Sequence, residues 1–137
     1  KPIIRDWKVL QPHPRTVDGM GHYGTAVFAE RFEGYQWQPY DSKVGGELVP
    51  SELPKVKGRG RNTWGVARFG ITQKGKVKLK INDTTLLDLF AGKKEINLPE
   101  KGPAIIELTG NEDPEHFTLA VNSAYRQTPV LLELVTE

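Results

Sequence analysis

Between Ile71 and Leu108 the chain reads ITQKGKVKLKINDTTLLDLFAGKKEINLPEKGPAIIEL, and within it Val77, Leu79 and Ile81 alternate with Lys76, Lys78 and Lys80. Successive side chains of a strand point to opposite faces, so this period of two puts the aliphatics on one face and the ammonium groups on the other. Further short apolar runs follow at 86–90, 95–98 and 104–108, punctuated by Gly75, Gly92 and Gly102. Short strands at close, even spacing with turn signals between them predict an all-β fold, an antiparallel, jelly-roll-like β-sandwich.

The flanks extend the pattern. Residues 3–10 (IIRDWKVL) read as a first strand that Pro12 and Pro14 end. A glycine-rich loop, TVDGMGHYG, leads into TAVFAERF at 25–32, a second candidate. From Glu33 to Arg61 the periodicity fades, and the stretch reads as a long irregular excursion; loops of more than about 12–15 residues in a compact domain are usually functional or disordered. NTWGVARFGIT at 62–72, Lys74–Ile81, TLLDLF, KEINLP, PAIIEL, HFTLAVN and PVLLELV complete eight or nine strand candidates. The 137 residues form a single domain, 1–137, and the start at Lys1 is read as a mature or excised boundary within a larger parent protein. No apolar run approaches the roughly 18 residues of a spanning helix, so no membrane insertion is expected. With no Cys there is no disulfide framework, thiolate nucleophile or Cys-based zinc site. Nineteen Lys and Arg against 17 Asp and Glu leave a formal charge of +2, too little to imply nucleic acid unless it is clustered.

Three features carry chemistry. The lysines at 74, 76, 78 and 80 form a stripe that would suit a polyanion, or a solvated face paired with Glu95, Glu107 and Glu133 on neighbouring strands. KVKGRGR at 55–61 places Arg59 and Arg61 beside Trp64, two guanidinium forks suited to carboxylate, sulfate or phosphate, or else a solvated loop. The excursion is aromatic: Tyr35, Trp37 and Tyr40 sit among Gln36, Gln38 and Asp41. Flat C–H faces of sugar rings stack on Trp and Tyr while amides and charged groups bind the hydroxyls. The same aromatics are also core material.

Catalytic signatures are lacking. His13, His22 and His116 show no metal spacing, and GMGHYG lacks the lysine and helix of a phosphate-binding loop. No catalytic residue, metal site or cofactor is expected. NEDPE at 111–115 reads as a polar turn, with calcium held by Asn111, Asp113 and Glu115 as the alternative. Asn82-Asp83-Thr84 is a formal glycosylation sequon.

Residues 64–108, with Phe69, Gly75, Val77, Leu79, Ile81, Asn82, Gly92, Ile96 and Leu98, resemble the central strands of galactose-binding-like and PA14-like sandwich modules. Those families carry an aromatic strand, a "G-x-V-x-L-x-I-N" strand, a short strand and then a hairpin. The resemblance implies a sandwich commonly attached to polysaccharide-active enzymes. Asn82-Asp83 is followed here by Thr84-Thr85, so no calcium or sugar site is carried over from it. The expected function is a noncatalytic carbohydrate-binding or accessory module of a secreted, cell-surface or periplasmic protein. Its partner is a polysaccharide or oligosaccharide, held by Tyr35, Gln36, Trp37, Tyr40, Arg59, Arg61 and Trp64. The alternatives are a structural sandwich supporting a neighbouring catalytic domain and an anionic-polymer binder.

Overall fold

The computed structural model describes residues 3–11, 36–41, 45–57 and 63–135. Among them, two antiparallel sheets pack face to face in an all-β sandwich. The larger sheet runs β2 (Trp37–Asp41), β1 (Asp6–Leu10), β4 (Thr63–Phe69), β9 (Phe117–Asn122), β6 (Leu87–Ala91) and β7 (Lys94–Ile96), with β3 (Val56–Lys57) also paired to β4. The smaller sheet runs β10 (Leu132–Val135), β5 (Ile71–Ile81) and β8 (Ala104–Asn111).

Strand β5 forms as its alternation predicts. Val77, Leu79 and Ile81 are buried against Trp7, Phe69, Leu89, Phe117 and Leu119 of the larger sheet's inner face, while Lys76, Lys78 and Lys80 lie exposed. Lys78 faces Glu107 and Lys80 faces Glu133 across the ladder, and Lys76 Nζ lies 3.7 Å from Glu107. Two details correct the expected stripe. Glu95 belongs to β7 in the other sheet, so it does not sit on a strand paired with these lysines. Lys74 falls where the β5–β8 pairing jumps from Ile71↔Asn111 to Lys76↔Thr109, at a bulge containing Gly75 with φ 78°. Glycine takes that positive φ without steric cost.

The chain changes sheets at two neighbouring corners. Only Gly70 separates β4 in the larger sheet from β5 in the smaller. A Cβ at Gly70 would lie 2.6 Å from the Asp113 carbonyl oxygen and 2.8 Å from that of Glu112, so the 111–115 loop seats against bare backbone. Upstream, Ile3 bridges Glu133, and the Ile4 N–H donates to the Leu132 carbonyl at 2.9 Å; β1 then joins the larger sheet, making Arg5 the second corner.

Central strands of the larger sheet are buried on both faces. All six residues of FTLAVN in β9 are buried, and so are Leu10, Val66 and Phe90, whose side chains lie on the face opposite the core cluster. The far end of the sandwich is tied by Arg126, 4% exposed. Its guanidinium donates to the carbonyls of Asp83 and Thr85 (2.6 Å each), Thr128 (2.8 Å) and Pro129 (3.2 Å). Asn82 of the sequon is engaged at both ends of its amide, with Pro129 O and Leu131 N at 2.9 Å each.

The 33–61 excursion is less irregular than its sequence suggests. Within its described part, β2 pairs along its whole length with β1, a 3-10 turn spans Pro50–Glu52, and Leu48 bridges Val130. The pattern WQPYD hides the strand because neither of its faces is uniformly apolar, and because Pro39 argues against a central strand. At the edge of a sheet proline is tolerated, and among the described residues β2 is that edge. The candidate strand at 25–32 lies outside the described residues.

Candidate functional site

Register decides which side chains of β1 and β2 act together. Trp37 pairs with Leu10, Pro39 with Lys8 and Asp41 with Asp6; Gln38 pairs with Val9 and Tyr40 with Trp7. Directly paired residues share a face. Trp7 and Val9 belong to the core, Trp7 standing edge-on to Phe69 with ring centroids 5.0 Å apart. The outer face of the ribbon therefore carries Trp37, Pro39 and Asp41 beside Leu10, Lys8 and Asp6.

A polar network continues this face onto β4 and β9. The Arg68 guanidinium carbon lies 4.2 Å from the centroid of the partly exposed Trp37 ring, a cation–π geometry. Arg68 Nε donates to Thr118 Oγ1 at 3.2 Å and Nη1 to Glu115 at 3.4 Å, while Lys8 Nζ stands 3.9 Å from Glu115. Glu115 is held by its loop. Asn111 Oδ1 accepts from the Asp113 N–H at 3.0 Å, and Asp113 Oδ1 accepts from the Glu115 N–H at 2.9 Å. Two successive Asx turns make NEDPE the polar turn that its composition indicated. Among the described residues no three His, Cys, Asp or Glu side chains gather as metal ligands would.

Two adjoining clefts open beside this network. One, of about 370 Å³, is lined by Arg5, Asp6, Trp7, Lys8, Pro39, Tyr40, Asp41 and Pro114. The other, of about 290 Å³, lies at the two sheet-changing corners and shares Arg5, Asp6 and Pro114 with the first. Trp7 is 2% exposed, and its indole N–H finds no hydrogen-bond acceptor among the described residues. A third cleft, of about 400 Å³, opens at the far edge between β7 and β8, with Glu95, Glu107 and His116 in its wall.

The expected site residues divide. Trp37 lies on the outer face and Tyr40 on the core side of the same strand, so the two do not build one platform. Tyr40 does line the larger of the adjoining clefts; its hydroxyl donates to Glu52 Oε1 at 3.1 Å and accepts from the Val49 N–H at 3.4 Å. Gln36 is exposed, and its carbonyl accepts from the Gln11 N–H at 3.0 Å. Trp64 stands on β4 opposite Asn122 of β9, beyond β1 from Trp37, about 10 Å away by strand spacing alone. Tyr35, Arg59 and Arg61 lie outside the described residues. Sequence reading counts Asp41 among the polar neighbours of the aromatics but misses Asp6, Lys8 and Arg5, whose only signal is their charge within an otherwise apolar first strand.

One titratable group stands apart. Asp88 of β6 is opposite Ala120 on the outer face, where burial, reinforced by the charge of Glu95, pushes its carboxyl up to about 6. Comparison with known proteins matches no family model, no curated protein and no solved structure.

Proposed function

We propose that this chain is a noncatalytic carbohydrate-binding module of a larger secreted protein, taking a polysaccharide along the β1–β2 edge of its larger sheet. What supports the reading is the composition of one face: the Trp37 indole with the Arg68 guanidinium over it, then Lys8, then the carboxylates of Asp6 and Asp41. Asp41 lies four residue steps along the strand from Trp37, about 13 Å at roughly 3.3 Å per residue, enough for more than one sugar ring. An aromatic face binds the C–H side of a pyranose, and charged groups beside it bind hydroxyls. No reaction is assigned to the site.

A specific observation favours a second reading, the structural sandwich that binds nothing. Arg68 already covers one side of Trp37 and is itself anchored by Thr118 and Glu115. The decisive experiment is a glycan array with the isolated domain, followed by tryptophan emission during titration and the same titration with Trp37→Ala. A binding module loses glycan affinity in the variant and keeps its melting temperature within a few degrees. A variant that loses about 3–5 kcal/mol of stability, with no glycan bound by the parent chain, establishes the structural reading.

A further inference from the structure

We infer that the glycan taken by this module is neutral, bearing neither uronate nor sulfate, and that its hydroxyls are read by Asp6 and Asp41. The inference rests on the proposed carbohydrate function and names its substrate class. Asp6 and Asp41 are direct cross-strand partners, and both are exposed. Like charges facing each other across a ladder destabilise it, so the ladder carries a local cost at the mouth of a cleft. Arg5 and Lys8 line the same cleft. Its two cations and two carboxylates cancel, and it exerts no long-range pull on a polyanion. At contact the carboxylate pair repels an anionic substituent, a built-in discrimination against uronate and sulfate.

Hydrogen-bonding capacity points the same way. A carboxylate only accepts, whereas ammonium and guanidinium groups only donate. A wall made of both kinds matches a ligand whose groups donate and accept at once. A sugar hydroxyl does so; a carboxylate or sulfate oxygen does not donate. Vicinal hydroxyls of a neutral pyranose satisfy carboxylate acceptors and N–H donors together.

The test is calorimetric titration of the full chain with galactomannan, mixed-linkage β-glucan, polygalacturonate and carrageenan, at low and physiological salt. Neutral polymers are expected to bind with affinity that salt barely changes. Asp6→Asn/Asp41→Asn should weaken that binding about tenfold, a loss of about 1.4 kcal/mol, while polygalacturonate binding appears or strengthens. Replacing exposed, mutually repelling carboxylates spares the fold, which a melting curve checks; Asp41→Asn alone, on the edge strand, gives a second variant. Polygalacturonate or carrageenan binding as tightly as the neutral polymers, and steeply with falling salt, overturns the neutral assignment while leaving the module reading intact. Neutral binding unchanged in both Asp variants overturns the cleft as the site. Binding of none of the four polymers, with an array that is also blank, overturns the carbohydrate function itself.

Discussion

Asp88 and Arg126 show how much one side chain's surroundings can ask of it. Among the described residues Asp88 has no cation or hydrogen-bond donor to offset its burial, and Glu95 lies diagonal to it across the β6–β7 pair. Its folded pKa is raised, so the native state holds the proton more tightly than the unfolded chain. That contribution to stability is present below the ordinary carboxylate range and is lost as pH rises from about 4 through about 6. Each pKa unit corresponds to about 1.4 kcal/mol, and partial exposure screens the effect. Asp88→Asn should therefore be more stable than the parent chain by about 1–2 kcal/mol above neutrality, with the difference shrinking towards pH 4. Urea denaturation at both pH values checks this, and an equal difference at each would count against it. Arg126 is the opposite case, a buried cation met by four carbonyls. Burial draws its pKa below the ordinary arginine value while the Asp83 charge opposes that pull. Arg126→Ala removes its bonds to all four carbonyls, of which Pro129 O keeps the Asn82 side-chain donor, and should cost about 3 kcal/mol or more. Arg126→Lys should recover little, because an ammonium group cannot span a fork of acceptors. A lysine variant that melts with the parent chain would refute the bonding described.

At the scale of elements, β5 is where pattern and structure meet most simply. Leu79 is fully buried and Lys78 exposed, one residue apart. Leu79→Ala should cost about 2–5 kcal/mol, against less than about 0.5 kcal/mol for Lys78→Ala; chemical denaturation of both measures the contrast, and equal losses would mean a different register. The lysines are not an isolated positive stripe, since Glu107 and Glu133 face them across both ladders. Strand β2 obeys a different rule. It is specified by backbone pairing to β1 and tolerates both Pro39 and a mixture of side chains because, among the described residues, it is the sheet's edge. Strand β9 is specified by burial on both faces, which is why its six residues show no polar side to solvent.

At the scale of the molecule, the corners at Arg5 and Gly70 join the sheets and shape the clefts. Gly70→Ala places a methyl group against the carbonyls of Glu112 and Asp113, so the 111–115 loop must move. An expected loss of about 1–3 kcal/mol should come with weakened Arg68–Glu115 and Lys8–Glu115 contacts. Thermal melting shows the first, and a crystal structure of the variant shows the second. A fully parent-like variant would show that the corner tolerates a side chain. The β-sandwich class was legible from residues 71–108 alone, because a period of two is a local property and each alternating run reports its own buried face. The polar turn at 111–115 was legible for the same reason. The site was not. Asp6 lies opposite Asp41, Trp37 faces outward and Tyr40 inward, and Glu115 reaches Lys8 and Arg68 only through pairing between distant segments. A slip of one residue in the β1–β2 register would exchange the two faces of β2. Local alternation therefore carries the class of fold, whereas the long-range ladder and the packing of two sheets decide which charges and aromatics share a surface.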